Sequence, residues 1–392
     1  MTQPTAPYDA LLVVSYGGPN GPDDVLPFMR NATRGKGIPD ERLLEVSGHY
    51  ARFGGVSPIN ACNARLLDAL RAELAARGAD LPVVLGNRNW HPFISEAAAG
   101  ILADGAKRIL MLPTSAYASY SGCRQYREDV AAALAGLGAG ATGIAVDKVR
   151  PFYDSPGFLD AEVEVVSASV RRLLEAGRAP SETRLLLVTH SIPVAMQDGS
   201  GDPERPGGDY IAQHLALADV LVPRVEDALG LARGAIRAEL AYCSRSGPPQ
   251  ARWLEPDVND RLAELPAEGV RAVSVAPIGF VSDHMEVVFD LDTEAAETAA
   301  GLGLAYDRAS TPGAHPALVA SLVDLVLERA AVARGEKPER PSTLPSGPWP
   351  DECGAHCCRM IAGLDTGIDV VAGPRAPKNG EAPSHRHARP AR

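Results

Sequence analysis

No apolar run in this 392-residue chain approaches the ~18 residues that cross a bilayer as a helix. The opening stretch, Met1 to Asp9, has neither the basic segment nor the apolar core of a secretory leader. The expectation is a soluble, cytoplasmic protein with no transmembrane segment. Excess positive charge is also missing: Asp and Glu number 49 against 38 Lys and Arg, a formal net charge of −11. A nucleic-acid surface needs the opposite balance, so no nucleic-acid partner is expected. A small anion held by a few local arginines is not excluded. Cysteine is scarce, six in the whole chain, which is too few for a disulfide scaffold at this length. Apolar residues make up 45% and charged residues 22%. That supplies two buried cores in a chain of two-domain length.

What the chain does hold is one phrase written twice. Leu11-Leu12-Val13-Val14-Ser15-Tyr16-Gly17-Gly18-Pro19 and Leu185-Leu186-Leu187-Val188-Thr189-His190-Ser191-Ile192-Pro193 share an order: apolar run, hydroxyl, ring, turn. Each predicts a buried strand with a ring at its carboxyl end, Tyr16 in one copy and His190 in the other. Ligands of open α/β sheets bind beyond those ends. Further strands are expected over 82–86, 108–113, 144–149, 236–243 and 270–277. Helices are expected from Ser57-Pro58 onward and over 125–137, 157–175, 209–229, 284–302 and 315–334. Short apolar strands between amphipathic helices imply parallel sheets covered on both faces. The fold class is therefore α/β, with two Rossmann-like, doubly wound domains related by the internal repeat, residues 1–150 and 151–335. Composition then shifts to Pro, Ser and Gly, which marks a C-terminal extension over 336–372 with a cysteine cluster. Residues 373–392 carry Pro, Arg and His without apolar periodicity and read as a disordered tail.

Three groups of residues offer chemistry. His190 closes an apolar strand, where an imidazole serves as a base near neutral pH or as a metal ligand; a ring tied to a loop carbonyl is the bland alternative. Glu286, Asp290 and Glu294 recur every four residues in a helix expected to open with Ser282-Asp283 as its capping residues. They form one acidic stripe, either a solvated face or a path for a cation. His190 and Glu286 together offer one nitrogen and one oxygen donor with open positions, which suits a metal bound in passing. Cys353, Cys357 and Cys358 fall within six residues, and clustered thiols in a reducing compartment suggest a metal or iron–sulfur site. Cys62 sits on the apolar face of its helix and reads as core.

Taken in order, several segments resemble one family. They are Ser15-Tyr16-Gly17-Gly18-Pro19, Phe53-Gly54-Gly55-Val56-Ser57-Pro58, Thr189-His190-Ser191-Ile192-Pro193, Gly201-Asp202-Pro203, Ser244-Arg245-Ser246-Gly247-Pro248, Trp253-Leu254-Glu255-Pro256 and Gly279 to Glu286. The chain resembles the class I ferrochelatases, which insert ferrous iron into a porphyrin, over about residues 8–335. The resemblance implies two chelatase-like domains around a porphyrin cleft. It implies that His190 and Glu286 are the catalytic pair and that His190, Glu286, Asp290 and Glu294 handle Fe²⁺, the substrate metal. Tyr16, Arg34, Ser57 and Tyr126 match porphyrin-contacting segments. The match is to the actinobacterial type, which implies coproporphyrin III as substrate and Fe-coproporphyrin III as product. Protoporphyrin IX, or a non-enzymatic porphyrin carrier, is the alternative. Asn87, Arg88, Asn89, Trp90 and His91 follow a strand end and are candidate contacts for propionates. The resemblance further implies a [2Fe–2S] cluster on Cys123, Cys353, Cys357 and Cys358, with Cys243 as the reserve ligand and zinc or free thiols as the alternative. A monomer with transient contacts to other haem-pathway enzymes is expected.

Overall fold

The computed structural model of the chain describes residues 3–35, 37–201, 207–246, 251–354, 357–361 and 370–372. The motif residues Asp202, Pro203, Gly247 and Pro248 and the expected disordered tail, residues 373–392, lie outside them. Two four-stranded sheets carry the fold. The first holds β1 (Ala10–Ser15), β2 (Val83–Asn87), β3 (Arg108–Pro113) and β4 (Ala145–Lys148) in the order β2-β1-β3-β4. The second holds β5 (Thr183–His190), β6 (Arg237–Cys243), β7 (Ala272–Ala276) and β8 (Ala305–Arg308) in the order β6-β5-β7-β8. Counted from its own first strand, each sheet has the same order, and all pairings are parallel. The two copies of the repeated phrase supply β1 and β5, each paired on both sides.

The apolar runs explain why both sheet faces are covered. Side chains alternate along a strand, so Leu11 and Val13 enter one core with Leu110 and Leu112. Leu12 and Val14 enter another with Ile109 and Met111. In the second sheet Leu185 and Leu187 share the first of these cores, whereas Leu186 and Val188 face a third with Val273 and Val275.

The helices are α1 (Pro22–Ala32), α2 (Asp40–Ala51), α3 (Ile59–Ala76), α4 (Ile94–Ala103), α5 (Gln125–Gly136), α6 (Pro156–Glu175), α7 (Val194–Asp198), α8 (Tyr210–Ala228), α9 (Val258–Glu264), α10 (Met285–Phe289), α11 (Ala296–Gly301) and α12 (Pro316–Ala333). The largest core joins the two halves: Leu66 and Leu70 of α3 share it with Val166 of α6 and Leu322 and Val326 of α12. After α12 the chain is pinned to a buried charge network, Arg150 donating to the Pro341 carbonyl at 2.9 Å and Arg340 pairing with Glu328 at 3.1 Å. Arg150 reaches Asp154 at 2.7 Å and Glu328 at 3.0 Å, and the fully buried Trp349 donates its backbone N–H to Asp154 at 3.0 Å.

Three local expectations are corrected. Helix α3 starts at Ile59 with Pro58 in the cap position, and no side chain, Ser57 included, accepts a capping hydrogen bond there; the Ser57 N–H donates to the Pro19 carbonyl at 2.9 Å. The expected helix 284–302 is interrupted: a π-helical segment, Asp290–Ala295, separates α10 from α11. Its cap is His284, whose Nδ1 accepts the Glu286 N–H at 3.2 Å. Asp283 instead accepts from Arg308 at 3.1 Å.

Candidate active site

Tyr16 and His190 both stand at carboxyl ends of the sheets, on the strands where the chain order reverses, the position at which open α/β sheets bind ligands. Gly17, with φ +77°, turns the chain directly after Tyr16. Near His190 a glycine is needed for closeness: a Cβ on Gly279 would lie 2.0 Å from the Thr189 hydroxyl oxygen. The loop after His190 is held by the Trp253-Leu254 segment. Ser191 donates its hydroxyl to the Leu254 carbonyl at 2.9 Å, and Leu254 donates its N–H to Ile192 at 3.1 Å.

His190 Nδ1 is in short contact with the Ser191 carbonyl. A carbonyl only accepts, so the neutral ring carries its proton on Nδ1 and turns the Nε2 lone pair outward. Nε2 stands 3.6 Å from Glu286 Oε2. A second imidazole, His284, has its Nδ1 3.8 Å from the same oxygen. Burial pulls the His190 pKa down, but Glu286, the Ser191 carbonyl and Asp290 outweigh it, and the net shift is upward. His284 moves downward, because burial and the neighbouring His190 outweigh Glu286 and Asp283. One ring is thus tuned toward holding a proton and the other toward staying neutral.

The acidic stripe leads away from this pair. Burial pushes the Asp290 carboxyl up to about 7, with Glu286 and Glu294 adding to the rise. The Ser244 hydroxyl donates to Asp290 and opposes it. Ser244 has φ +62°, a strained value for a residue with a side chain. Glu294 is exposed. Glu286 and Asp290 are partly buried, so the stripe runs from His190 to solvent. Asp290 and Glu294 both lie in the π-helical segment, a distortion common at functional sites.

The first half faces this pair with rings. Tyr16 is 38% exposed, and its phenol lies within the field of Glu286 and Arg88. Tyr16 meets Phe28 edge-on at 6.1 Å, and Phe28 meets Tyr50 at 6.0 Å. Tyr50 in turn lies near Glu286 and Asp290. Alongside, His49 of α2 stacks on Phe289 of α10 at 3.8 Å. Arg88 lies over Tyr16 at 5.9 Å and over Tyr126 at 5.1 Å, and pairs with Asp129 at 2.5 Å. Tyr126 and Ser57 are buried. Arg34 is exposed and bonds Asn31 at 2.6 Å; among the described residues no contact joins it to the His190 pair. The 87–91 loop spends its polar groups on the protein itself. Asn89 donates to the Tyr16 carbonyl at 3.3 Å, Trp90 to Asp24 at 3.1 Å, and His91 pairs with Glu96 at 3.0 Å.

The cysteines gather elsewhere. Cys123 lies in a second π-helical segment, Tyr120–Arg124. It meets Cys353, which meets Cys357, which meets Cys358 at 3.5 Å between sulfurs. All four are buried. Thiol donation from Cys123 and Cys357 holds Cys353 well below the ordinary thiol range, with Lys148 and Arg127 adding to the effect. The sulfurs pair with one another, and among the described residues no group of three or more His, Cys, Asp or Glu side chains is spread to hold a metal ion. As a donor set, four buried thiols beside two buried cations suit an iron–sulfur cluster. Cys243 is remote from this group in kind: its sulfur lies beside Ser244, 3.4 Å from the hydroxyl, and near Asp290. Cys62 is core.

A family model described as Ferrochelatase matches residues 8–330. The chain belongs to the ferrochelatase family. It is 50% identical over 376 residues to a coproporphyrin III ferrochelatase of Leifsonia xyli subsp. xyli, covering 92% of this chain and 93% of that one. A protein of the same name from Streptomyces griseus subsp. griseus is 51% identical over 356 residues, covering 90% and 94%. One from Streptomyces coelicolor is 49% identical over 360 residues, with the same coverage. Among the described residues, no helix is long and apolar enough to cross a membrane.

Sequence reasoning passed over His284, Tyr50, Ser244 and Lys148 as site residues. His284 and Ser244 lay inside quoted motifs and could have been found there. Tyr50 and Lys148 carry no local signal, since only tertiary packing brings them to their sites.

Proposed function

We propose that this chain inserts Fe²⁺ into coproporphyrin III, forming Fe-coproporphyrin III in haem synthesis. The observation that carries the reading is the His190–Glu286 pair, 3.6 Å apart at the carboxyl end of β5, with an acidic stripe leading to solvent. The substrate follows the names of the similar Leifsonia and Streptomyces proteins. Metalation takes up Fe²⁺ and releases two protons from the pyrrole nitrogens, so the site needs proton acceptors and an oxygen-lined way in or out. The outward Nε2 of His190 accepts a pyrrole proton or ligates iron, one at a time. Glu286 supplies the complementary base or ligand. Asp290, ionising near neutral pH, passes protons or the metal between Glu286 and the exposed Glu294. Tyr16 faces the macrocycle from the other side, while Tyr126 and Ser57 support that wall from behind and Arg34 stands at its edge.

The second part of the reading is a [2Fe–2S] cluster held by Cys123, Cys353, Cys357 and Cys358. When bound it supplies a one-electron centre; the residues around it bring the two sides of the chain together. Cys358 donates its N–H to Gly201 in the second half at 2.9 Å, and Arg124 donates to the Cys357 carbonyl at 3.3 Å. The described cysteines are free thiols, which fits a reducing cytoplasm, and we read the working unit as a monomer.

Anaerobic assays with Fe²⁺ and either coproporphyrin III or protoporphyrin IX test the proposal through the visible spectrum. Faster metalation of coproporphyrin III is expected. Preference for protoporphyrin IX defeats the substrate assignment, and a porphyrin bound but unchanged points to a carrier.

A further inference from the structure

Lys148 ends β4 with 1% of its surface exposed. Its Nζ makes one long hydrogen bond, 3.4 Å, to the carbonyl of the adjacent Val149. Among the described residues no carboxylate pairs with it. An ammonium buried without a counter-charge is strongly unfavourable, so something anionic belongs opposite it. What stands there is sulfur. Lys148 and Cys123 line a common cavity of about 10 Å³ with Tyr117 and Phe152, and Cys353 and Cys357 are its other charge partners. Arg127, also 1% exposed, adds a second buried positive charge on the same side while donating to the Val371 carbonyl at 2.8 Å. Two buried cations therefore face a group of four buried cysteine sulfurs, with no carboxylate among the described residues paired to Lys148.

We propose that Lys148 is the built-in counter-charge of the four-cysteine cluster and raises its reduction potential. This rests on the cluster reading above. Two ferric ions, two sulfides and four thiolates sum to a charge of minus two, which balances the two cations. One electron from an external reductant such as dithionite makes it minus three. A fixed positive charge in a low-dielectric site favours the more negative state, so removing the charge disfavours reduction. Lys148 acts through electrostatics on the cluster and is a positioning residue, not a catalytic one.

The test uses the full chain purified anaerobically as wild type, Lys148→Met and Lys148→Arg. Iron, acid-labile sulfide and visible spectra are measured first, followed by potentiometric titration with dithionite and mediators. The expected result is that Lys148→Met lowers the reduced-to-oxidised ratio at fixed potential at least about tenfold, a midpoint shift of about 59 mV for a one-electron couple. Lys148→Arg is expected within about threefold of wild type on the same scale. Equal midpoints in wild type and Lys148→Met overturn the proposal. So does Lys148→Arg falling as far as Lys148→Met, because shape and not charge would then be at issue. Should Lys148→Met assemble no cluster, assembly in Lys148→Arg supports the proposal and its failure there overturns it. Absence of iron and sulfide from the wild type defeats the underlying cluster reading, before any variant is compared.

Discussion

The Nε2 of His190 stands 3.6 Å from Oε2 of Glu286, and the two side chains come from different strand–loop units of the second half. His190 closes β5, whereas Glu286 opens α10 beyond β7. Parallel pairing of β5 with β7 brings their carboxyl ends together, and the close approach at Gly279 seats the second loop against Thr189. A base and a carboxylate are thereby held at one edge of the sheet, facing the phenol of Tyr16 from the equivalent strand of the first half.

Glu286 is the main reason the His190 imidazolium persists above its ordinary pKa of 6.5, because burial alone acts in the opposite direction. Glu286→Gln is therefore expected to lower the His190 pKa, read from imidazole proton shifts across a pH series. The sign carries to stability. A histidine with a raised folded pKa stabilises the fold below its unfolded pKa and loses that contribution as pH rises through the folded value. Glu286→Gln should reduce the urea midpoint more at about pH 5.5 than at about pH 8. An equal loss at both would contradict the coupling.

Asp290 titrates at about 7 because burial and the neighbouring carboxylates outweigh the Ser244 hydroxyl. Its folded state holds a proton that the unfolded chain releases near the ordinary 3.8, so stability should fall as pH rises between those values. Asp290→Asn is expected to remove that fall. Ser244→Ala deletes a hydrogen bond to the charged form, a bond worth about 1.5–3 kcal/mol. The ionised fraction of Asp290 at neutral pH should then drop roughly tenfold, with slower metalation at pH 7 that recovers at higher pH. A pH-independent loss of rate would assign Ser244 to packing.

The cysteines divide into two classes by placement. Cys353→Ser is expected to abolish bound iron and acid-labile sulfide, since Cys353 lies between Cys123 and Cys357. Cys62→Ser and Cys243→Ser should retain both. Loss of the cluster in Cys243→Ser, with retention in Cys123→Ser, would exchange their assignments.

Arg150 joins Asp154 and Glu328 in a pair of ion pairs that are almost fully buried. Arg150→Met leaves both carboxylates without that partner, and breaking such a buried pair costs about 3–5 kcal/mol. The expected reading is a correspondingly lower denaturant midpoint. Replacing all three residues with apolar ones of similar volume should recover only part of the loss, because the Trp349 N–H then loses Asp154 and Arg340 loses Glu328. No recovery would show that the network shapes the C-terminal extension as well as neutralising charge.

Much of this arrangement was legible in the residues. The duplicated phrase gave β1 and β5 and their terminal rings, because a long apolar run with a ring and a turn leaves few alternatives. The helix expected over 209–229 is present as α8, Tyr210–Ala228, capped by Asp209, which accepts the Ala212 N–H at 3.0 Å. Strand β8 was not read, since Ala305-Tyr306-Asp307-Arg308 is short, polar and partly exposed. Helices α1, α2, α4, α7 and α9 also escaped. The first carries Pro27 inside it, and the second buries only Leu43. The π-helical break after Phe289 was invisible because the spacing of Glu286, Asp290 and Glu294 suits a regular helix equally well. Pairing of Cys123 with Cys353 came from resemblance, as a contact between residues so far apart in the chain leaves no mark on either segment.

The most direct measurement is the initial rate of anaerobic Fe²⁺ insertion into coproporphyrin III by the wild type, His190→Ala, Glu286→Ala and the double variant, with porphyrin binding measured alongside. Each single variant should lose about 10²–10⁴-fold in rate, the usual contribution of a positioned acid or base, while still binding porphyrin. The double variant should be little worse than either, because the pair acts as a unit. Metalation at the wild-type rate in the double variant would contradict the account and place the chemistry elsewhere.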